Sequence, residues 1–535
     1  MATATDVKNA KGSLLARAWW LHPFLLSAFP VVFLFASNIG EQVSLEPLGP
    51  PLAVALIVAA VGLLIAVTAA RLGGFSPGRA ALVLSLLVVL FFSYGHAWAI
   101  VGPTLGLHRF LLAAWGLVAI LGTWLIAGAT RRQVSAATGF LNVVGLVLVA
   151  LNLVPIGRFA MTSEPTIGTA IPSSTQALSD PAHGTPDIWY LVFDRYAGAD
   201  GLSATYDFDN EPFLAELERR GFQVVDHATA NYLKTALSLT STLNMDYLDS
   251  DALGQAASTP DDWSPVYREL QGSTAVERFV HDRGYEYVHL GLRRGATYTN
   301  SEADRVYVYG DQSEFAAVLE NTTLLAALER VETSEPTGLA GLYGHQSLFQ
   351  LGVLRQLAQS DAERPRFVFA HILLPHPPYV FNEDGSWVTD AQRRERSADE
   401  QYLEQLRFAN ARILELLDAL DSRPAAQRPI VLIQADEGPF PDRYQRDEEG
   451  FRWTDATDRE LLRKFSILAA YRLPAEVPDG LELWERITPV NSFRAIFNAA
   501  FDAGFEYLDD RNLVFVDQGH LYDEADVTDR LRSLP

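Results

Sequence analysis

The 535-residue chain contains no cysteine, and this absence excludes disulfides, Cys-ligated zinc, iron–sulfur clusters and a cysteine nucleophile. It does not fix the compartment, since exported proteins without cysteine are common. Positive charge is scarce as well, with 42 Lys+Arg against 65 Asp+Glu and a net charge of −23. A general nucleic-acid binder presents a basic surface, so no nucleic-acid partner is expected. Charge of either sign is scarcest in residues 1–160, which hold 9 basic and 3 acidic side chains, a net of +6. The other 33 of 42 basic and 62 of 65 acidic residues lie after position 160 and give −29. A mean hydropathy of +0.07 therefore averages two unlike parts. The split excludes a single soluble globule, and the composition excludes a collagen-like or disordered chain.

What the first part does have is long apolar runs. Trp20–Gly40, Pro51–Ala70, Ala81–Val101, Phe110–Thr130 and Ala137–Pro155 contain no Asp, Glu, Lys or Arg. Each approaches or exceeds the ~20 helical residues that cross a bilayer. Lys8, Lys11 and Arg17 precede the first run; Arg71 and Arg79, then Arg131 and Arg132, lie in the second and fourth connections. The positive-inside rule puts the N-terminus in the cytoplasm, and five crossings put everything after Pro155 outside. His96, near the end of the third run beside Trp98, reads as an interfacial or packing residue rather than a proton relay. The expected organisation is a five-helix transmembrane domain over 1–158, a Ser/Thr/Pro-rich linker over 159–186 and an extracytoplasmic α/β domain over 187–535. That layout describes a multi-pass protein of a bacterial-type plasma membrane.

After the linker, three short continuous apolar runs each end at an ionisable residue. Ile188–Phe193 precedes Asp194, Arg366–Ala370 precedes His371, and Ile430–Gln434 precedes Ala435-Asp436-Glu437-Gly438. Continuous apolar strands are buried on both faces, as in a parallel sheet covered by helices. Amphipathic patterns at Glu211–Arg220 and Asp399–Ala419 alternate with them, which argues for an α/β sandwich. In open α/β sheets ligands bind beyond the carboxyl ends of the strands.

Three segments there can carry chemistry. Asp194, Asp436 and Glu437 taken singly are also good turn or helix caps. Brought together they repel unless a cation neutralises them, and an all-oxygen set favours Mg²⁺, Mn²⁺ or Ca²⁺ over Zn²⁺. Thr235 stands where a polar turn enters an apolar helical pattern. It reads as a plain N-cap or as a hydroxyl nucleophile, since a phosphate at a helix N-terminus meets free N–H groups. His371 and His376 flank Ile372-Leu373-Leu374-Pro375, where they can bind phosphoryl oxygens, protonate a leaving group or ligate a second metal. Arg293 and Arg294 read as a solvated basic pair.

Together these segments resemble the alkaline phosphatase superfamily, in its sulfatase-like hydrolase/transferase branch, from about Asp187 to Asp510. IWYLVFDRY is similar to that family's first metal-ligand strand, NYLKTALSLTSTLNMDYL to its nucleophile segment, HILLPHPPYVF to its histidine loop and QADEGPF to its second metal motif. Membrane helices ahead of an outer catalytic domain also resemble lipoteichoic acid synthases and phosphoethanolamine transferases. The resemblance implies an alkaline-phosphatase-like sandwich with a mainly parallel sheet and a divalent metal ion. It further implies metal ligation by Asp194, Thr235, Asp436 and Glu437, with Thr235 as nucleophile. His371 and His376 would be catalytic and substrate-binding. The family usually has Asp-His-Gly where this chain has Asp436-Glu437-Gly438. Sulfate-ester hydrolysis is disfavoured, because no Cys or Ser stands in the C/S-x-P-x-R motif that formylglycine formation needs. The expected function is metal-dependent phosphoryl transfer on a phosphodiester, a phospholipid head group or an envelope polymer. The alternative is a catalytically degenerate member acting as a cell-envelope scaffold.

Overall fold

The structure, a computed structural model, describes residues 15–42, 45–105, 108–162, 186–293, 295–310, 314–328, 336, 338–474, 477 and 480–534. Most of the expected linker, and Arg294, lie outside the described residues. The chain divides into two compact units, residues 1–164 with 312–333 and 337–339, and residues 165–311 with 334–336 and 340–535.

The first unit is helical: α1 (Leu21–Ser37), α2 (Gly49–Leu72), α3 (Pro77–Leu105), α4 (His108–Gly128) and α5 (Arg131–Thr162). Among the described residues, four helices are long and apolar enough to cross a membrane, namely Glu46–Leu72, Pro77–Val101, His108–Gly128 and Arg131–Met161. The first expected span differs. α1 has 17 residues, about 26 Å at 1.5 Å per residue. It stops at Asn38, and a 3₁₀ turn over Ile39–Glu41 follows. Polar Asn38 and the unconstrained Gly40 end the helix short of the apolar run.

A segment expected in the outer domain groups with this helical unit. Glu314–Asn321 and Leu325–Leu328 are helices, and Phe315 is buried with Val31, Val32, Phe35 and Ile156. Its ring meets Phe35 edge-on, with centroids 5.6 Å apart. Residues 322–324 address an i, i+4 pair of α3: the Gly95 amide donates to the Thr322 carbonyl and the Leu324 amide donates to the Phe91 carbonyl, both at 2.9 Å. A Cβ at position 95 would overlap the backbone of Asn321 and Thr322, so this approach requires glycine.

The second unit is built on a seven-stranded sheet of β1 (Ile188–Phe193), β2 (Gln223–Val224), β3 (Glu286–Leu290), β4 (Arg305–Tyr307), β5 (Arg366–Ile372), β6 (Ile430–Gln434) and β7 (Ala469–Arg472). Its order is β2-β7-β6-β1-β5-β3-β4. β6, β1, β5, β3 and β4 run parallel; β7 and β2 are antiparallel additions at one edge. Every residue of β1, β5 and β6 is buried, as expected of strands covered on both faces. Their common start is fixed by Arg366, 1% exposed, whose Nη2 and Nε donate to Asp187 Oδ2 at 2.9 and 3.2 Å. The unit is therefore the expected α/β architecture with a mainly parallel sheet. A small antiparallel pair, β8 (Leu513–Phe515) and β9 (Glu524–Asp526), lies outside it.

Candidate metal centre

The three central strands end side by side and deliver their following residues to one place. The register pairs Val192 of β1 with His371 of β5 and with Gln434 of β6. Asp194, His371 and Asp436 are consequently brought together, each offering a ligand atom within 4.8 Å of the others and all buried. His371 Nε2 lies 3.2 Å from Asp194 Oδ2. Its other nitrogen, Nδ1, is 2.9 Å from the Thr297 hydroxyl, which leaves Nε2 facing the carboxylates.

Arg195 follows Asp194 in the left-handed region, at φ 60°, a conformation a non-glycine residue holds only when its surroundings impose it. The turn points its amide at Asp436 Oδ1 (3.3 Å) and its Nε at Glu437 Oε1 (3.3 Å). Thr235 is the first residue of α6 (Thr235–Asn244), and its hydroxyl acts on the Asp436 carboxylate, pulling that group's pKa down. Lys234, the N-cap, is extended and supplies no side-chain cap, so the first-turn amides have no side-chain acceptor from it. Ser238, one turn further, donates to the Asp436 carbonyl at 2.7 Å, locking α6 to the end of β6.

Charge in the cluster is unevenly held. Burial alone would raise the Asp194 carboxyl, but the charges of His376, His371 and Arg195 and the His371 hydrogen bond keep it below the ordinary range. Asp436 moves the other way, to about 7, through burial and then repulsion by Asp194 and Glu437. Burial pushes His371 down, yet the three carboxylates facing it raise it overall. Asp194 Oδ1 and Asp436 Oδ2 are buried with no hydrogen-bond partner among the described residues. Two unpartnered carboxylate oxygens beside an imidazole fit a divalent cation. Asp194, Asp436 and His371 would hold it, with the Thr235 hydroxyl adjacent.

Two expected site residues lie beside the triad and not in it. Glu437 is not in the triad: its Oε1 is 2.8 Å from Lys464 Nζ. The expectation of an oxygen-only donor set rested on Glu437; in the triad an imidazole nitrogen stands with the two carboxylates, a set that would suit Zn²⁺ as well. His376 is half-buried in the proline-rich loop; its carbonyl accepts from Gln405 at 2.8 Å, and its charge acts on Asp194. Arg293 is not solvated. It is 6% exposed and its guanidinium donates to the Tyr309 carbonyl.

Sequence reasoning missed Thr297, Lys464 and the role of Arg195. Arg195 had a local signal, its place directly after the first ligand. Thr297 and Lys464 had none, lying 74 positions before His371 and 27 after Glu437 with no motif around them.

The comparisons follow this geometry. No curated protein matches the chain. Among solved structures, the C-terminal periplasmic domain of EptC from Escherichia coli, in complex with Zn, is similar at 10% identity, TM-score 0.43, over 69% of this chain and 98% of its own. The integral membrane lipooligosaccharide phosphoethanolamine transferase A from Neisseria meningitidis aligns at 13% identity, TM-score 0.39, over 90% and 95%. The phosphonate monoester hydrolase of Agrobacterium radiobacter aligns at 11% identity, TM-score 0.38, over 62% and 80%. The sulfatase family model matches residues 186–462, more than half of the chain and all three strand ends that build the triad, and the chain belongs to the sulfatase family.

Proposed function

We propose that the protein is a membrane-anchored, metal-dependent phosphoryl-transfer enzyme whose second unit works on the outer face of the membrane. The observation that carries this reading is the buried meeting of Asp194, His371 and Asp436 at the carboxyl ends of three parallel strands, with Thr235 acting on Asp436. A divalent cation in this place polarises a phosphoryl oxygen and makes a bound hydroxyl more acidic. The Thr235 oxygen attacks phosphorus, its proton passing to the neighbouring Asp436 carboxylate. The phosphorus–oxygen bond to the leaving group breaks as the new bond forms, leaving a phosphothreonine. First-turn amides of α6 face the phosphoryl oxygens. His376 protonates the departing oxygen. His371 is held by Thr297 so that Nε2 stays turned toward Asp194. Water or an acceptor hydroxyl then takes the phosphoryl group from Thr235.

Substrates of this chemistry are phosphodiesters, phospholipid head groups among them. A scaffold role has weaker support, because a degenerate site has no reason to retain two buried unpartnered carboxylate oxygens around a hydroxyl. The test is turnover of a phosphodiester by the purified full-length protein. Thr235→Ala and treatment with a chelator should each lower kcat by at least about 10³-fold, in line with loss of a nucleophile. Full activity after either treatment refutes the mechanism.

A further inference from the structure

The carboxylate expected to complete the metal set is bonded to something else. Glu437 is 1% exposed and Lys464 is 0% exposed, and Lys464 Nζ meets Glu437 Oε1 at 2.8 Å. The same ammonium donates to the Gly438 carbonyl at 2.8 Å and sits 3.5 Å from the centre of the Phe440 ring. An ammonium has three protons, and these three partners account for them. The backbones are clasped too: the Gly438 amide donates to the Lys464 carbonyl at 2.8 Å, and a Cβ at 438 would come within 2.9 Å of that oxygen. A lysine with no exposed surface persists only with a bonded counter-charge. Glu437 supplies it, and Arg195 reinforces the same oxygen from 3.3 Å.

We infer that Glu437 is the counter-ion of Lys464 and not a metal ligand, beside a centre taking a single divalent ion through Asp194, Asp436 and His371. This rests on the metal-dependent reading above and refines it. Asp194 and Asp436 together carry −2, which one divalent ion neutralises. Lys464 offsets the charge of Glu437 through Oε1, so one ion balances the charge that remains on the triad. Lys464 is thus a positioning residue: it withdraws Glu437 from the ligand set and fixes the 436–438 turn on which Asp436 is carried.

The experiment is calorimetric titration of Mn²⁺ into the full-length protein in detergent. Wild type should take one equivalent. Asp436→Asn should weaken binding by about 100-fold or more, as loss of a ligand does. The double variant Glu437→Gln/Lys464→Met removes both charges at similar size and should keep one equivalent, with a Kd weakened by about tenfold at most, since the turn loses support but no ligand is lost. Lys464→Met alone frees Glu437 and should add a second equivalent or tighten the first by about tenfold. A double variant as weak as Asp436→Asn overturns this inference and leaves the phosphoryl-transfer reading standing, as does a Lys464→Met protein that binds like wild type. Failure of wild type to bind Mn²⁺ or Zn²⁺ overturns the metal-dependent reading itself.

Discussion

Thr297→Val removes one hydroxyl and little else. The side chain is 2% exposed, so valine fills nearly the same volume, and the Thr297 carbonyl still accepts from His289 Nε2 at 2.9 Å. The lost contact is the 2.9 Å hydrogen bond to His371 Nδ1. A buried ring N–H left without an acceptor costs about 1–3 kcal/mol. Outer partners of metal-binding histidines are worth about 10–100-fold in affinity, or about 1.4–2.7 kcal/mol. The two estimates agree, so Thr297→Val should weaken Mn²⁺ binding by about 10–100-fold. kcat at saturating metal should fall less, since no reacting group is removed. Thr297→Ser restores the acceptor and should recover most of the affinity, which a purely structural role for the methyl group would not allow. Calorimetry of the three proteins decides it. A Thr297→Val protein binding Mn²⁺ within twofold of wild type refutes the claim that Thr297 orients His371.

Two further predictions follow from other parts of the molecule. Glu277 is 1% exposed, and burial, only partly offset by hydrogen bonds from Thr274, Asn300 and Tyr287, raises its carboxyl to about 7. The folded state then holds a proton that the unfolded chain releases near its ordinary 4.5. This contribution to stability is fully present below about 4.5 and lost as pH rises through about 7, amounting to about 3 kcal/mol. Melting curves between pH 5 and pH 8 should slope downward with pH, and Glu277→Gln should flatten that slope whatever it does to the absolute Tm; an unchanged slope contradicts the assignment. In the helical unit, Gly95→Val drives a side chain into Asn321 and Thr322 and breaks the bonds from Gly95 and Leu324. Because the chain has no cysteine, Phe35→Cys/Phe315→Cys can be joined by a short thiol cross-linker without background. Cross-linking should be efficient in that pair and strongly reduced when Gly95→Val is added; equal yields refute the docking of residues 314–328 at α3.

The legible parts of the molecule were those written in local pattern. Continuous apolar runs at 188–193, 366–370 and 430–434 gave buried parallel strands, and an ionisable residue after each gave the triad, because a parallel sheet aligns strand ends however far apart they are in sequence. Residues 312–333 were not legible. Glu314 and Glu320 break the apolar run too often for a spanning helix, while Phe315 and Leu319 lie on a face that shows its purpose only once α1 is in place. The length of α1 was overestimated for a related reason. A run free of charge is not a run free of helix ends, and Asn38 closes the helix where a count of charged residues registers nothing.

Glu437 marks the boundary between what a motif carries and what it does not. Its position after Asp436 fixes where its backbone goes, since the end of β6 places 436 and 437 together. It does not fix which way the carboxylate turns, because that depends on the strongest buried cation within reach. Lys464 reaches it from the chain just before β7, an antiparallel neighbour of β6, and Arg195 from the turn after β1. Both arrive through tertiary contacts that leave no trace in the spacing around position 437. Replacing the family's histidine with glutamate would by itself add a negative charge to a cluster already carrying two. The buried lysine removes that excess, so the substitution and Lys464 make physical sense only as a pair: each alone leaves an uncompensated charge in the core, at a cost of several kcal/mol.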